Sequence, residues 1–545
     1  MLPLTGESFT PDEQARLASY VTNTDRSIFA LTNLPEVIKG TLFSRYSRST
    51  LGLRQLLLRE FIDDDAAEFS AIQGGAGNTA QDAALAVGRA QSFYDRILDG
   101  YGDDSIGELG GAHLAVEEVS ILATKTIEDA RIGGSPLEKS TRYVSFGQKV
   151  ASDFRFYKEP RLLDSQHREC YLNTCRTLFE TYVQLNEPIR EYVRSRLPCD
   201  PDTPTAAYER SVRALGFDLI RGLLPAATLT NMGVFGNGRF FESLISRLRI
   251  EPLQEFQDIA QTAWEELAKV VPSFIRRAHP DHRHFQGYAE FTEAQREQTQ
   301  SVAALLGQGN AAPLSIPAGT SGEVRLVEWD TDAEVKLLSA LLYEHTALPL
   351  QQVQELVRQL SDAERERIFQ ESIVLREHRR HKPPRALERV FYTFDLLGDY
   401  GMYRDLHRHR MLTQWRQPLT TRFGYDTPPE LEDAGLIQLY HTAMAQAAEA
   451  FEAIAADFPH EAQYVVPMAY RIRWAMHVNL RALTWLVELR STPQGHPGYR
   501  HIAQELFREV RRVQPRLAEW MKFADLHDYA LGRLDAEVQQ ESKSQ

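Results

Sequence analysis

Two blocks of this chain repeat one another, and the repeat limits the possible fold more than any other feature. Residues 221–249 and 462–490 each carry a proline, an asparagine twelve residues later, an arginine two residues beyond it, and a final Leu-Arg. Self-similarity at a fixed spacing is the signature of a duplicated structural unit. The matching residues are Pro225, Asn237 and Arg239 in the first block and Pro467, Asn479 and Arg481 in the second. We therefore predict two copies of one domain in tandem.

A second spacing supports the duplication. Glu108 lies 34 residues before Arg142, and Glu388 lies 34 residues before Arg422. Between this pair and the proline block, the first copy has about 38 more residues than the second. We predict that these extra residues form a helical insertion near 150–205.

The joint between the copies is visible as a change of composition. Residues 307–322, GQGNAAPLSIPAGTSG, are rich in Gly, Ala, Pro and Ser, which is typical of a linker. The predicted domains are therefore 1–306, which includes the insertion, and 323–545.

Most of the chain has the spacing of amphipathic helices, and strand patterns are few. The predicted strands are EVRLVEW (323–329), RVFYTFDL (389–396) and TRYVSFG (141–147). This mixture predicts an α+β fold in which helices pack around small antiparallel sheets in both domains.

Charge and composition restrict the function classes. The 545-residue chain has a formal net charge of −14, which argues against a nucleic-acid backbone as the main partner. Three sparse cysteines indicate a reducing compartment and give neither a disulfide framework nor a zinc site, so no metal is predicted. We see no signal peptide and no apolar run long enough to span a membrane, and we expect a cytoplasmic protein.

The second copy contains a concentrated group of cations. Arg404 and Arg408 are four residues apart and share one face of a predicted helix, and Arg408, His409 and Arg410 follow as Arg-His-Arg. Guanidinium groups clustered in this way suit a phosphate or another anion. The alternative is an exposed basic helix end that the helix dipole stabilises.

The first copy contains a different polar motif, SPLEKSTRY at 135–143. If this segment is extended, the side chains of Ser140 and Arg142 lie on one face of a strand and converge on one anion. The alternative is a helix-capping box made by Ser135 and Glu138.

Together these motifs resemble flavin-dependent thymidylate synthases, whose signature joins Arg-His-Arg, a serine, and Glu-x-Ser-x-Arg-Tyr. The resemblance covers nearly the whole length of both copies. The segment HKPPRALERVFYTFDL is similar to the family's Gly-His-x-x-x-x-Glu-His segment, with Glu388 as the glutamate. The blocks at 221–249 and 462–490 resemble its Arg-x-x-Leu-Pro and Asn-x-Arg region.

The family signature is divided between the two copies. The second copy keeps Arg-His-Arg but has Pro418 and Thr420 where the glutamate and serine are expected, while the first keeps Glu138, Ser140 and Arg142. A constant offset of 280 residues would replace Arg-His-Arg in the first copy by Glu128–Ala130, although a gap of one or two residues would bring in Arg131. Arg221 has Gln463 as its counterpart, and Arg490 is clear only in the second copy.

The resemblance implies the following chemistry. FAD carries the reaction, in which methylenetetrahydrofolate supplies a methylene group to deoxyuridine monophosphate (dUMP) and NADPH reduces the flavin; no protein nucleophile is needed, so no catalytic side chain is expected. The flavin-binding residues implied are Arg408, His409, Arg410, Glu388, Asn479, Arg481, Asn237 and Arg239. The nucleotide-binding residues implied are Glu138, Ser140, Arg142, Arg221, Arg404 and Arg490.

The resemblance also bears on assembly. Family members are homotetramers with sites built from several subunits, so a fused duplication implies a homodimer that forms a pseudo-tetramer. A composite site could then take Arg-His-Arg from one copy and Ser140 and Arg142 from the other. Two alternatives remain open: a degenerate member that binds flavin or nucleotide without turnover, and a flavoenzyme that acts on another pyrimidine nucleotide.

Overall fold

The computed structural model describes residues 8–47, 49–62, 107–197, 199, 201, 203–309, 323–529, 533–534 and 537–538. Most of the predicted linker, residues 310–322, lies outside the described residues, and residues 307–309 end a long helix.

The described chain is a mixture of helices and short strands, which confirms the α+β prediction. In chain order the helices are α1 (Pro11–Leu17), α2 (Glu36–Tyr46), α3 (Leu53–Leu57), α4 (Ile121–Glu128), α5 (Pro160–Leu163), α6 (Arg168–Arg196), α7 (Thr205–Ile220), α8 (Gly238–Arg249), α9 (Gln254–Leu267), α10 (Pro272–Ile275), α11 (Arg283–Gly309), α12 (Ala333–Tyr343), α13 (Leu350–Gln359), α14 (Asp362–Val374), α15 (Tyr400–Leu406), α16 (Pro429–Asp433), α17 (Ile437–Ala455), α18 (Leu480–Arg490), α19 (Pro497–Val513) and α20 (Pro515–Ala518). The strands are β1 (Gly111–Ser120), β2 (Gly134–Glu138), β3 (Lys149–Val150), β4 (Asp153–Phe154), β5 (Leu229–Asn237), β6 (Glu323–Trp329), β7 (Phe391–Asp399), β8 (Thr413–Arg416) and β9 (Arg471–Asn479).

The chain divides into two compact units, and the division does not follow the repeat. The first unit contains residues 1–119, 126–138 and 231–312, and the second contains 120–125, 139–230 and 313–545. The second unit therefore holds residues of both repeats. The predicted domain boundaries at 1–306 and 323–545 stay a prediction about the duplication.

The first unit contains a three-stranded sheet in the order β1–β5–β2. Strand β2 pairs antiparallel with β5, with Gly134 opposite Gly236 and Glu138 opposite Met232. Helix α8 follows β5 directly, and its apolar residues Phe241, Leu244 and Ile245 are buried. Burial of this apolar helix face stabilises the packing of α8 in the unit.

The second unit contains a four-stranded sheet in the order β6–β7–β9–β8, and all its described pairings are antiparallel. Phe391 pairs with Asn479 and Asp399 with Arg471 across the two central strands. Tyr392, Phe394 and Leu396 alternate toward the core as a half-buried strand requires. This sheet matches that of the first unit, with β7, β9 and β8 in the places of β1, β5 and β2.

The insertion predicted near 150–205 is mainly helical. Most of it is α6, one helix of 29 residues that continues through Pro188. A proline removes one backbone hydrogen bond, and here the burial of Leu185, Ile189 and Val193 on one face outweighs that loss.

The predicted strand TRYVSFG is wrong, because residues 141–144 form a turn and 145–147 have no regular structure. Ser140 Oγ accepts a hydrogen bond from Arg142 N at 3.2 Å, which turns the backbone at this point. The capping box is also wrong, since Ser135 and Glu138 lie in strand β2.

Among the described helices, none combines the length and the apolar composition that crossing a bilayer requires.

Candidate functional site

The two repeats build the same ion pair at the same place. Arg481 Nη1 donates to Glu388 Oε1 at 2.6 Å, and Arg239 Nη1 donates to Glu108 Oε1 at 2.7 Å. Each glutamate lies three residues before a strand, β1 or β7, and each arginine lies in the first turn of a helix. The geometry confirms the equivalence that the sequence spacing predicts.

The matched asparagines have the same local role in both repeats. Asn237 Oδ1 accepts from Phe240 N at 2.8 Å and caps α8, and Asn479 Oδ1 accepts from Ala482 N at 2.9 Å and caps α18. A cap of this kind stabilises a helix by about 1 kcal/mol. Glu388, Arg481 and both asparagines thus have partners inside their own repeats, and their contact with flavin stays a prediction.

Equivalent residues of the two repeats pair with each other in the second unit. Pro225 and Pro467 face one another in an isolated antiparallel bridge. Backbone hydrogen bonds of 2.9 Å flank the bridge on both sides, from Ala226 N to Val466 O and from Met468 N to Leu224 O. This local two-fold pairing brings the Arg221 turn of the first repeat beside α15 of the second.

Arg221 is held by a carboxylate from the other repeat. Its Nη1 and Nη2 both lie 3.1 Å from Asp405 Oδ2, and the two side chains are only 5% and 9% exposed. A Cβ atom at Gly401 would lie 3.4 Å from Arg221 Nη2, so a larger residue there would crowd the guanidinium. The absence of a side chain at position 401 leaves space for this pair.

Arg142 makes a second buried pair close by. Its Nε and Nη2 donate to the two oxygens of Asp218 at 2.7 and 2.6 Å. Its Nη1 donates to Tyr499 Oη at 3.1 Å, so Arg142 also reaches the second repeat. Burial alone would raise the pKa of Asp218, but the charge and hydrogen bonds of Arg142 outweigh it, and the pKa lies below its usual value.

Asp405 lies at the centre of a group that we call the arginine cluster, defined as Arg142, Arg221, Arg408 and Arg490. Burial would raise the pKa of Asp405, but the positive charges of these arginines outweigh it and hold the pKa well below its usual value. Two members of the cluster come from each repeat. The structure therefore brings together three of the predicted nucleotide-binding arginines and one predicted flavin-binding arginine.

The Arg-His-Arg segment follows the end of α15. Arg408 and Arg410 are exposed, while Arg404 is buried and its Nη1 lies 2.8 Å from the sulfur of Met468. Arg490 Nε donates to His409 Nε2 at 3.0 Å, which requires an unprotonated acceptor nitrogen. Burial, and then the charge of Arg490, lower the pKa of His409 to about 3. His409 is therefore neutral and orients Arg490.

The remaining predicted site residues are divided between the units. Glu138 is buried at the end of β2 in the first unit, where Asn237 and Arg239 also lie. Ser140 lies in the second unit and forms the turn that precedes Arg142.

The helix caps show how the repeats align near Arg-His-Arg. Ser120 Oγ accepts from Ala123 N at 3.0 Å and caps α4, as Asp399 Oδ1 accepts from Met402 N at 2.8 Å and caps α15. These caps are 279 positions apart, because β1 has one residue more than β7, and Glu118 within β1 has a φ of 57°. The counterparts of Arg-His-Arg at this alignment are residues 129–131, Asp-Ala-Arg, and not 128–130.

A cavity of about 290 Å³ lies in the second unit beside the arginine cluster. Arg142 and Arg221 line it, together with Asp399, Asp426, Tyr440 and Arg500. Its volume is close to the range that small-ligand pockets occupy. The cavity thus joins two predicted nucleotide-binding arginines to residues that the sequence analysis did not single out.

Two of the residues that line the cavity, Asp399 and Asp426, have carboxyl groups with raised pKa values. Burial, and then the charge of Asp426, raise the pKa of Asp399 to about 7. Burial also raises the pKa of Asp426, although Arg471 Nε donates to its Oδ1 at 2.6 Å. Near neutral pH, Asp399 is therefore protonated in a large fraction of the molecules. The arginines beside it then face less negative charge than two ionised aspartates would give.

His496 completes the neutral part of the cavity wall. Its Nδ1 accepts from Gly498 N at 3.1 Å at the start of α19. Burial, and then the charge of Arg221, lower the pKa of His496 to about 4. The ring is uncharged at neutral pH and adds no cation to the arginine cluster.

The sequence analysis missed the acids that organise the arginines, namely Asp218, Asp399, Asp405 and Asp426. A signal was available for two of them, since Asp218 in ALGFDLI and Asp405 in GMYRDL interrupt apolar helical segments. A charged residue in such a segment is buried only when it is paired, which points to a cation elsewhere in the chain.

Comparison with known families accounts for both repeats. The family described as "Thymidylate synthase complementing protein" matches residues 65–273 and 325–516, one segment in each repeat. The two matches cover well over half of the chain and agree with the tandem duplication.

Relatives with the full length of this chain also exist. A UPF0159 protein of Chlamydia muridarum is 47% identical over 529 residues, which is 97% of this chain and 98% of that protein. A UPF0159 protein of Chlamydia pneumoniae is 47% identical over 98% of each chain. One from Thermoplasma acidophilum is 34% identical, covering 93% of this chain and 99% of that protein.

Among solved structures, a UMP/dUMP methylase, PolB, from Streptomyces cacaoi bound with 5-Br UMP is similar over 38% of this chain and 96% of its own. Its sequence identity to this chain is 16%, and the TM-score is 0.28.

Proposed function

The chain belongs to the thymidylate synthase complementing protein family, the flavin-dependent thymidylate synthases, and from that membership we propose a specific reaction. The protein is a thymidylate synthase-like methyltransferase that converts dUMP to thymidine monophosphate. Methylenetetrahydrofolate supplies the carbon, FAD is the cofactor, and NADPH is the reductant.

One observation carries this proposal. The family motif is divided between the repeats, so a working site needs arginines of both repeats in one place. The charges of Arg142 and Arg221 from the first repeat and of Arg408 and Arg490 from the second all act on Asp405, and Arg221 pairs with it directly. The fold alone does not require four arginines near Asp405, because one well-placed partner is enough to compensate a buried carboxylate.

The arginine cluster suits the phosphate of a mononucleotide. It concentrates four guanidinium groups in one place, and the carboxylates of Asp218 and Asp405 pair with Arg142 and Arg221. The carboxylates hold Arg142 and Arg221 in fixed orientations, which reduces the entropy lost when a phosphate binds. Guanidinium groups held in this way donate paired hydrogen bonds to phosphate oxygens.

The chemistry of the Arg-His-Arg segment fits the phosphate end of FAD. Arg408 and Arg410 present exposed guanidinium groups, and the neutral His409 adds no charge that would disturb a stacked ring system. When bound, the flavin supplies the hydride that turns the transferred methylene into a methyl group. We assign the direct contacts to Arg408 and Arg410, and a supporting role at the start of α18 to Glu388, Asn479 and Arg481. Asn237 and Arg239 are the first-repeat counterparts of this support.

A turnover assay tests the proposal. Purified protein with FAD, NADPH, methylenetetrahydrofolate and dUMP should produce thymidine monophosphate, and omission of any one component should stop product formation. The Arg142→Ala variant should lose this activity, whereas Arg422→Ala, its repeat counterpart, should keep it. Protein that binds FAD and dUMP but forms no product would contradict turnover and support the binding-only alternative.

The same assay separates the substrates. If UMP, and not dUMP, is methylated, the protein acts on another pyrimidine nucleotide and the thymidylate assignment is wrong.

We also propose a homodimer, in which two chains reproduce a four-repeat assembly. Light scattering should give twice the chain mass of 62.1 kDa at micromolar protein. A strict monomer that turns over dUMP would show that one chain completes the site.

A further inference from the structure

Four buried or nearly buried aspartates surround the cavity and the arginine cluster, and three of them have an arginine partner. Arg142 pairs with Asp218, Arg221 with Asp405, and Arg471 with Asp426. The fourth, Asp399, is 91% buried, because only 9% of its surface is exposed. Among the described residues, it has no ion pair within 4.0 Å.

The helix cap alone does not explain an acid at position 399. Asp399 Oδ1 accepts one hydrogen bond, from Met402 N, and its second oxygen accepts none from the described residues. In the first repeat, Ser120 makes the same cap with a neutral hydroxyl. Serine and aspartate cap helices about equally well, so an acid adds nothing to the cap that would offset the cost of its burial.

Both carboxyl groups face the same cavity as the arginines. Asp399 and Asp426 line it along with Arg142, Arg221 and Tyr440. Asp426 Oδ2 is buried and accepts no hydrogen bond from the described residues, which leaves it available to a ligand. A Cβ atom at Gly401 would lie 2.9 Å from Asp399 Oδ1, so a larger residue there would displace the carboxyl group from this position.

We propose that Asp399 and Asp426 form the wall of the cavity that hydrogen-bonds the uncharged part of the nucleotide, while Arg142 and Arg221 hold its phosphate. This inference rests on the proposed function and adds two specificity-determining residues to it. The ligand group that they recognise is an O–H or N–H donor, either a sugar hydroxyl or the imide of the pyrimidine.

The charges on the wall are arranged for such a ligand. A mononucleotide carries its negative charge at one end and its neutral donors at the other, and the cavity places cations and carboxyl groups in the same lining. The raised pKa values of Asp399 and Asp426 mean that one carboxyl group of the pair keeps a proton near neutral pH, so the pair both donates and accepts. Tyr440, whose hydroxyl donates to Asp426 O at 3.2 Å, closes the wall beside them.

The first experiment measures the affinity for dUMP and for inorganic phosphate by calorimetry in the parent, Asp399→Asn and Asp399→Ser. Both substitutions keep a residue that caps helices, and the serine reproduces the first repeat. We expect dUMP to bind roughly tenfold more weakly in both variants, as loss of one hydrogen bond to a neutral ligand group predicts. Inorganic phosphate should bind as in the parent or more tightly, because a carboxyl group near Arg221 has been removed.

Asp395→Asn is the matched control. Asp395 lies on the same strand, pairs with Arg473 at 2.5 Å and does not line the cavity. This variant should bind dUMP like the parent.

Two modified nucleotides identify the donor. If the sugar hydroxyl is recognised, 2′,3′-dideoxyuridine monophosphate should bind weakly to the parent and the difference from dUMP should shrink in Asp399→Asn. If the imide is recognised, N3-methyl-dUMP should behave in this way instead.

Three outcomes would overturn the inference. Equal dUMP affinity in the parent, Asp399→Asn and Asp399→Ser contradicts it and leaves the proposed function intact. An equal loss of dUMP and phosphate binding in the variants shows that Asp399 only supports the arginines. A parent that binds phosphate but not dUMP, or that binds neither, contradicts the proposed function and the inference with it.

Discussion

Arg142 and Arg422 lie at equivalent positions in the two repeats, but the first side chain is largely buried and the second is exposed. The backbone turn is the same in both, since Arg142 N and Arg422 N each donate to a hydroxyl two residues earlier at 3.2 Å. The Arg142 side chain is 11% exposed and bonds both oxygens of Asp218, whereas that of Arg422 is 70% exposed and lies 3.3 Å from Glu452. Duplication kept the backbone and let the side-chain chemistry diverge.

The proline blocks show the same divergence. Arg221 forms a buried pair with Asp405, while its counterpart Gln463 accepts a hydrogen bond from Leu419 N at 3.0 Å. The arginines therefore gather at one of the two equivalent places, and the other keeps the fold without the cations. From this difference we expect one anion site per chain, to which both repeats contribute.

The largest expected effect on stability comes from replacing Arg221 by glutamine, the residue that the second repeat has at the equivalent position, 463. Arg221→Gln removes the closest partner of the buried Asp405, and breaking a buried pair costs about 3–5 kcal/mol of unfolding free energy. Urea unfolding followed by circular dichroism measures the loss. The double variant Arg221→Gln/Asp405→Asn should recover most of the stability, and if it recovers none, the pair is not the source of the effect.

The next effect concerns ligand binding at the two equivalent turns. Arg142→Gln should weaken dUMP binding roughly ten- to a hundredfold, because it removes a charge-assisted contact from the arginine cluster. Arg422→Gln should leave dUMP binding unchanged and alter the unfolding free energy by less than about 1 kcal/mol, since its ion pair is exposed. Equal losses in both variants, measured by calorimetry, would remove the distinction between the two places.

Asp399 should make the stability of the protein depend on pH, whereas its neutral counterpart Ser120 should not. The pKa of Asp399 is raised from 3.8 to about 7 in the folded protein, so the folded state holds a proton that the unfolded state releases. The contribution of Asp399 to stability is therefore greatest below about pH 4 and declines as the pH rises toward about 7. Asp399→Asn should be increasingly stable relative to the parent over this interval, and a difference that does not change with pH would contradict the raised pKa.

The smallest effect is expected where the repeats agree. Arg239→Ala and Arg481→Ala each remove a partly exposed ion pair with a glutamate. Each should lower the unfolding free energy by less than about 1 kcal/mol. Arg481 should cost the more of the two, because its Nε also donates to Pro383 O at 2.9 Å. A large cost in only one repeat would indicate that the equivalent pairs have different roles.

The duplicated framework could be predicted from sequence because its signals are local spacings. An asparagine that ends a strand and caps the next helix keeps a fixed distance from its proline and arginine neighbours, and both copies retain that distance. The same reasoning identified Arg142, Arg221, Arg408 and Arg490, since each belongs to a recognisable motif.

The acids and the turn could not be predicted in the same way. Asp218 and Asp405 pair with arginines 76 and 184 positions away, and such contacts depend on how the chain folds back. The segment 141–147 has the alternation of a strand, but the Ser140 hydroxyl bonds the backbone two residues on and competes with sheet pairing. The pairing of Pro225 with Pro467 likewise depends on the packing of one repeat against the other.

The stoichiometry of dUMP binding tests the central claim most directly. Calorimetry on the full chain should give one dUMP per chain, abolished or strongly weakened by Arg142→Gln and unchanged by Arg422→Gln. Two equivalent dUMP sites per chain, or a single site that is lost in Arg422→Gln and kept in Arg142→Gln, would contradict a single composite site at the arginine cluster.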